Sequence, residues 1–341
     1  VSPYFPVFVF NKINSEGDIV GLIIEGVWKD QWYDTDASEG EFIRENSRFR
    51  DWITEDGKPG PDSEKGYPPD RDRYHLYVSL ACPWAHRTLI FRSLKKLQEI
   101  IPVSVVKPHM LEHGWELERS GDSANRYQYL HQLYTAANPD YTGRVTVPVL
   151  WDKKNRTIVS NESSEIIRMF NGSFNDFTDV SFDYYPESLR VEIDEINEYI
   201  YHNVNNGVYR CGFATTQSAY EDAFSQLFKA LDKLDRRLSS QRYLVGNQIT
   251  EADWRLFTTL VRFDAVYYGH FKTNLRRIAD YPNLQPYLLD LYQQPGINET
   301  IDMEHIKSHY YYSHETVNPS RIVPVGPEFD FEAPHDRARF G

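Results

Sequence analysis

Cysteine is scarce in this chain. Cys82 and Cys211 are the two thiols in 341 residues. Thiols this few and this far apart exclude a disulfide framework and fit a reducing compartment, so the expected location is cytoplasmic. Long apolar runs are missing as well. No stretch approaches the ~18 residues that a membrane-spanning helix needs, so no membrane association is expected. The N-terminal stretch lacks the basic-then-apolar order of a secretory leader. Excess positive charge is also absent: 37 Lys and Arg against 50 Asp and Glu leave a formal charge of -13. That balance argues against nucleic acid as a partner, which needs a basic footprint. What is present is 40% apolar and 15% aromatic residues. Such a chain can build a large core, and its length suits two domains of about 150 residues each.

The stretch from Tyr74 to Arg87 organises the rest. Residues 75–80 alternate and are rich in β-branched and aromatic side chains, which reads as a strand. Pro83 suits the first turn of a helix, where its missing N–H costs nothing. Ala85, Leu89, Ile90, Leu94 and Leu97 then recur at helical spacing. Cys82 therefore stands where a strand ends and a helix begins. Free backbone N–H groups and the positive end of the helix dipole favour its thiolate, with His86 and Arg87 adding charge one turn on. A lone cysteine is ordinarily a small buried apolar residue, but this strand–Cys–Pro–helix setting favours reactivity. Position 85 is alanine, so no Cys-x-x-Cys pair exists. Any resolving thiol must come from another molecule.

Along the chain, Phe5, Pro6, Phe8 and Phe10 read as a short strand or an arm. Phe42–Ile53 reads as an amphipathic segment packed on the body, and the proline-rich residues 54–70 as a loop. A second strand is expected at Val103–Lys107. A polar insertion spans 109–143, with Trp115 near its start and a helix over Asn125–Tyr134. Strands follow at Val145–Trp151 and Thr157–Ser160, then a helix with a polar start at Asn161-Glu162-Ser163-Ser164. Pro148 is unusual inside a strand. The βαβ…ββα order is the thioredoxin-like plan. Residues 171–186 read as a linker and 187–294 as helical. Thr250 and Asp253 form a capping box. A helix at Ile301–His305 and the run Tyr310-Tyr311-Tyr312 open a tail draped over the surface.

These residues resemble the glutathione transferases, and closely resemble their Xi class, the glutathionyl-hydroquinone reductases. The carrying segments are Leu80-Ala81-Cys82-Pro83-Trp84-Ala85-His86-Arg87, Thr146–Trp151, Asn161–Ile167, Asn206–Tyr209 with Gly212–Ala214, Glu251–Asp253, and His305–Tyr310 with Ser313-His314, Asn318-Pro319 and Gly326-Pro327. They span residues 41 to 327. The His309-Tyr310 tail, which ordinary glutathione transferases lack, makes the resemblance specific.

The resemblance implies an α/β plus all-α fold. An N-terminal arm and loop (1–70) precede a thioredoxin-like glutathione-binding domain (71–172). An all-helical domain (187–299) and a C-terminal extension contributing to the substrate pocket (300–341) follow. It implies glutathione-dependent reduction of glutathionyl-hydroquinones, a quinone-detoxifying oxidoreductase activity, with glutathione as co-substrate and no tightly bound cofactor. Cys82 would attack the glutathione sulfur, and a second glutathione would resolve the mixed disulfide. Tyr209 and Tyr310 would hold the ring hydroxyl. Val147, turned by a cis Pro148, would pair with the glutathione backbone. Glu162 and Ser163 would hold its γ-glutamyl end, Trp115 would stack on it, and Arg144 would meet its glycine carboxylate. The family typically forms homodimers. Cys211 reads as a buried apolar residue, and His305, His309 and His314 as packing residues rather than a metal site. The runner-up is an omega-like thiol transferase or dehydroascorbate reductase, which shares the lone cysteine. A non-catalytic interaction module of the same fold is the reading from a different class.

Overall fold

A computed structural model of the chain describes residues 21–31, 33, 35–118 and 126–341. The arm expected around Phe5–Phe10 lies outside them. Strands β1 (Leu22–Ile24) and β2 (Val27–Lys29) form a hairpin. The short parallel pair β3 (Trp52–Ile53) and β4 (Gly66–Tyr67) follows. Then come β5 (Tyr74–Val78), α1 (Pro83–Leu94), β6 (Val103–Val105), α2 (His131–Ala137), β7 (Gly143–Arg144), β8 (Val149–Asp152), β9 (Thr157–Ser160) and α3 (Ser163–Gly172). The main sheet has the order β6-β5-β8-β9, with β5 parallel to β6 and antiparallel to β8. This is the thioredoxin-like arrangement. All five residues of β5 are buried, as an inner strand covered on both faces requires. α1 and α3 pack together, and α2 packs against β9.

Two sequence expectations shift here. The strand expected at Val145–Trp151 begins only at Val149. Pro148 cannot donate to a ladder, so the pairing with β5 begins only after it; Val145, before it, donates to the Gly21 carbonyl at 3.3 Å. The Val147–Pro148 bond is cis, as the resemblance implied. The helix expected over Asn125–Tyr134 is described from His131 to Ala137.

The remaining elements are helical: α4 (Arg190–Ile200), α5 (Gly207–Gly212), α6 (Gln217–Arg237), α7 (Glu251–Arg262), α8 (Leu284–Tyr292) and α9 (Met303–Ser313). Every residue of α7 is buried, which makes it the axis of the helical part. It packs against α4, α8 and, across the molecule, α1. Asp253 sets its start. Its carboxylate accepts from the Thr250 amide (2.8 Å), the Leu244 amide (2.8 Å) and the Tyr287 hydroxyl (2.8 Å). The tail helix is longer than expected. Asp302 accepts from the His305 amide at 2.8 Å, and the helix runs through the aromatic run Tyr310-Tyr311-Tyr312 to Ser313. The chain end is pinned rather than merely draped. The buried Arg337 donates to the Leu238 and Arg242 carbonyls at 2.7 Å each.

Candidate active site

Cys82 caps α1. Its amide donates to the Ser79 carbonyl at 3.2 Å, and its own carbonyl accepts the first helical bond from His86 at 2.9 Å. The thiol donates to the Val147 carbonyl at 3.5 Å. The expected depression of its pKa is not met. Burial pushes the thiol up, although the amides of Ala85 and Trp84 and the charges of Arg262 and Arg44 pull it down. Desolvating a thiolate outweighs one helix terminus here. The residue is still partly exposed to the cavity.

His86 does not supply positive charge as expected. Burial and the neighbouring Arg262 hold its pKa well below the ordinary value. Its Nδ1 accepts from Arg262 Nη1 at 2.9 Å, so the ring is neutral, and its Nε2–H points at Thr300 Oγ1, 2.8 Å away. Arg87 faces away from the thiol, donating to Asn205 Oδ1 (2.8 Å) and Ser163 Oγ (3.4 Å).

The cation that does serve the cysteine loop is Arg262, at the end of α7. It donates to the carbonyls of Leu80 and Ala81, each at 2.8 Å, and to that of Thr258 at 2.8 Å. Two of these acceptors immediately precede Cys82, so the helical part clamps the cysteine turn. Sequence reasoning missed this residue, because an arginine 180 positions from the thiol leaves no local signal.

Cys82 opens on a chamber of about 110 Å³. Phe42, Trp84, Trp115, Tyr209 and Tyr310 form much of its wall. The two expected tyrosines meet there: their hydroxyls are 2.5 Å apart. A third, Tyr267, stands behind with its hydroxyl 3.1 Å from that of Tyr310. Burial raises the pKa of all three, so they remain protonated donors at neutral pH. Arg44 lies over the rings of Tyr209 (4.9 Å) and Trp84 (5.0 Å). It was not singled out either, because its segment read as mere packing.

Beside the chamber runs a more polar groove of about 410 Å³. Arg44, Trp84, Thr146 and Val147 border both spaces, so the two lie side by side. Val147, Glu162 and Ser163 all line this groove. Glu162 caps α3, accepting from the Ser164 amide (3.0 Å) and hydroxyl (2.8 Å), and from Ser47 Oγ (3.1 Å). Burial works to raise its pKa, but the Ser164 amide and hydroxyl, Arg87 and Ser47 hold it below the usual range. It is a carboxylate at neutral pH. Trp115 lines the chamber rather than the groove, stacked on His309 at 4.9 Å. Arg144 stands apart. It lies over the Tyr33 ring at 4.1 Å and 3.8 Å from Glu45, beside a smaller cleft next to the groove.

Cys211 is buried, with its thiol pushed up to about 12 by burial. Such a thiol is inert near neutrality. Among the described residues no three His, Cys, Asp or Glu side chains are grouped to hold a metal ion.

Comparison with known proteins points to one family. Residues 81–172 match the family model "Glutathione S-transferase, N-terminal domain", and residues 217–289 its C-terminal counterpart. The chain is 56% identical over 328 residues to glutathionyl-hydroquinone reductase YqjG of Escherichia coli, covering 94% of this chain and 100% of that one. It is 53% identical to glutathionyl-hydroquinone reductase PcpF of Sphingobium chlorophenolicum, covering 90% and 96%. The glutathione-bound structure of YqjG superimposes with a TM-score of 0.86 at 53% identity, over 93% of this chain and 99% of that chain. A Xi-class glutathione transferase from Natrialba magadii gives 0.85 at 47% identity, over 94% and 97%. With these likenesses spanning nearly the whole molecule, the chain belongs to the Xi class of the glutathione transferases, the glutathionyl-hydroquinone reductases.

Proposed function

We propose that this protein reduces glutathionyl-hydroquinones to hydroquinones with glutathione as reductant, through a mixed disulfide on Cys82. One observation carries the reading. The thiol of Cys82 opens on an aromatic chamber with tyrosine hydroxyls, and beside that chamber lies a polar groove of about 410 Å³ lined by Val147, Glu162 and Ser163. The glutathionyl part occupies the groove. Its ammonium meets Glu162, its γ-glutamyl carboxylate accepts from Ser163 and the start of α3, and its backbone lies along Val147. The ring occupies the chamber, against Trp115. Arg144, near the groove's edge, is the candidate partner of the glycine carboxylate.

The Cys82 sulfur attacks the substrate sulfur as the carbon–sulfur bond breaks. The electron pair of that bond passes into the ring. It can rest on oxygen once the hydroxyl next to the sulfur has become a carbonyl, its proton having moved to the sulfur-bearing carbon; the pair then shifts onto that oxygen, where the Tyr209–Tyr310 pair donates to it. That oxygen then takes up the one proton that Cys82 gives up, which restores the hydroxyl, so the half-reaction is balanced. The hydroquinone leaves, and Cys82 holds glutathione as a disulfide. A second glutathione attacks that glutathione's sulfur, releasing glutathione disulfide and the Cys82 thiol. The same reading makes the C-terminal extension part of the substrate pocket, through α9. It also carries a cytoplasmic homodimer, testable by light scattering. Among the described residues no helix is long and apolar enough to cross a membrane.

The test is turnover of a glutathionyl-hydroquinone by the whole chain, with hydroquinone and glutathione disulfide quantified together. They should form in equal amounts, and Cys82→Ser should abolish both. Turnover retained in that variant would reject the thiol mechanism.

A further inference from the structure

His309 is a chamber residue the mechanism does not use. Its Nδ1 lies 2.8 Å from the Pro108 carbonyl. A carbonyl can only accept, so Nδ1 must carry the ring proton. Burial keeps the ring from taking a second one, holding its pKa down at about 3. The other nitrogen, Nε2, is then a bare lone pair. No hydrogen bond among the described residues engages Nε2. Nor is Nε2 among the sealed, unpartnered polar atoms of the interior. It therefore keeps accessible surface, and the cavity its ring borders is the Cys82 chamber. The ring cannot easily turn. Trp115 stacks on its face at 4.9 Å, and Tyr310 meets it edge-on at 5.3 Å. His314 also borders the chamber, but its Nδ1 pairs with His270 Nε2 at 3.1 Å, which leaves either ring able to hold the shared proton.

We propose that His309 Nε2 is the specificity-determining acceptor for a second, free hydroxyl on the substrate ring. The chamber thus presents a donor from the Tyr209–Tyr310 pair and a fixed acceptor at His309. A hydroquinone has two hydroxyls. The one beside the sulfur accepts from that pair, and the far one donates to Nε2. A ring lacking the far hydroxyl leaves that lone pair buried without a partner, a desolvation cost that falls on the poorer substrate. Discrimination between glutathionyl diols and glutathionyl monophenols is thereby assigned to His309.

This inference rests on the reading of Cys82 given above, and one experiment separates the two. The whole chain is assayed with 2-glutathionyl-hydroquinone and with 2-glutathionylphenol, which keeps the hydroxyl beside the sulfur and lacks the other. No turnover of the first by the wild type rejects the underlying reaction. With turnover, the wild type should prefer the diol by about tenfold or more in kcat/KM. His309→Phe, which keeps an aromatic ring against Trp115, should reduce that preference at least fivefold, mainly by slowing the diol. His309→Gln, which returns an acceptor, should recover part of it. A ratio of two substrates on one sample is independent of how much of a variant has folded. A wild type that turns over both substrates alike, or a His309→Phe preference equal to that of the wild type, would overturn the assignment.

Discussion

Replacing Tyr310 with Phe removes one oxygen from the centre of the chamber. That oxygen lies 2.5 Å from the Tyr209 hydroxyl and 3.1 Å from the Tyr267 hydroxyl. Three hydroxyls carry three protons, and these two contacts use two of them. One remains to be donated to the departing ring. Taking away the central oxygen removes both contacts and the alignment of that donor. Loss of a single donor to a developing oxyanion typically costs about 2.7–4 kcal/mol, or about 100- to 1000-fold in rate. The structural cost is smaller. Two hydroxyls lose a partner, but Tyr209 borders the chamber and can turn to water there, so about 1–2 kcal/mol of stability is expected to go. The assay compares two substrates in single-turnover mode. With a glutathionyl-hydroquinone, release of the ring should slow by about two to three orders of magnitude. With a mixed disulfide of glutathione and a small thiol, the leaving group is a thiolate and needs no ring donor, so slowing should stay within about threefold. Equal slowing of both would refute a role in the departure of the ring.

Other changes test other parts of the molecule. Cys211→Ser should leave the steady-state rate unchanged, because that thiol is buried and lines neither the chamber nor the groove; a large loss in the rate assay would restore it as a resolving cysteine. Asp253→Ala should cost about 3 kcal/mol or more, beyond the ~1 kcal/mol of an ordinary cap, since the Leu244 amide and the Tyr287 hydroxyl lose their acceptor too; the urea midpoint reports it. Acid should destabilise the fold. His270 and His309 are held at about 3 by burial, below the ordinary value near 6.5. The unfolded chain therefore takes up protons that the folded rings refuse. Their contribution is complete above about pH 6.5 and falls by about 1.4 kcal/mol per pH unit for each ring below it. Melting temperatures at pH 7 and pH 5 should differ accordingly. A curve flat over that interval would mean that these rings are more open to water than the structure shows.

Local pattern carried the thioredoxin-like half well. β9 and the start of α1 fall where residue chemistry put them, because alternation and a proline at the first helical turn are local signals. The tail helix α9 was cut short in the reading. A run of three tyrosines looks strand-like by propensity, and burial of Ile306, His309, Tyr310 and Ser313, together with the Asp302 cap, favours the helix. The site divides in the same way. Cys82, Glu162 and Ser163 stand at helix starts and could be read from sequence. Arg262, Tyr267 and Arg44 could not, because each acts at long range: through carbonyls 181 and 182 residues away, through a hydroxyl 43 residues away, or through the faces of Trp84 and Tyr209. The direction in which burial moves the thiol's pKa also departs from the expectation drawn from sequence. A helix terminus can be read from residue types, but the depth of the pocket around it cannot.

The central claim is that one sulfur takes up glutathione and hands it on. Whole-protein and peptide mass spectrometry after mixing with a glutathionyl-hydroquinone, with no free glutathione present, tests it directly. One glutathione should appear on the Cys82 peptide, one hydroquinone should be released for each, and added glutathione should remove the adduct. An adduct on Cys211, an adduct that retains the ring, or hydroquinone release from a protein that never carries glutathione would contradict it.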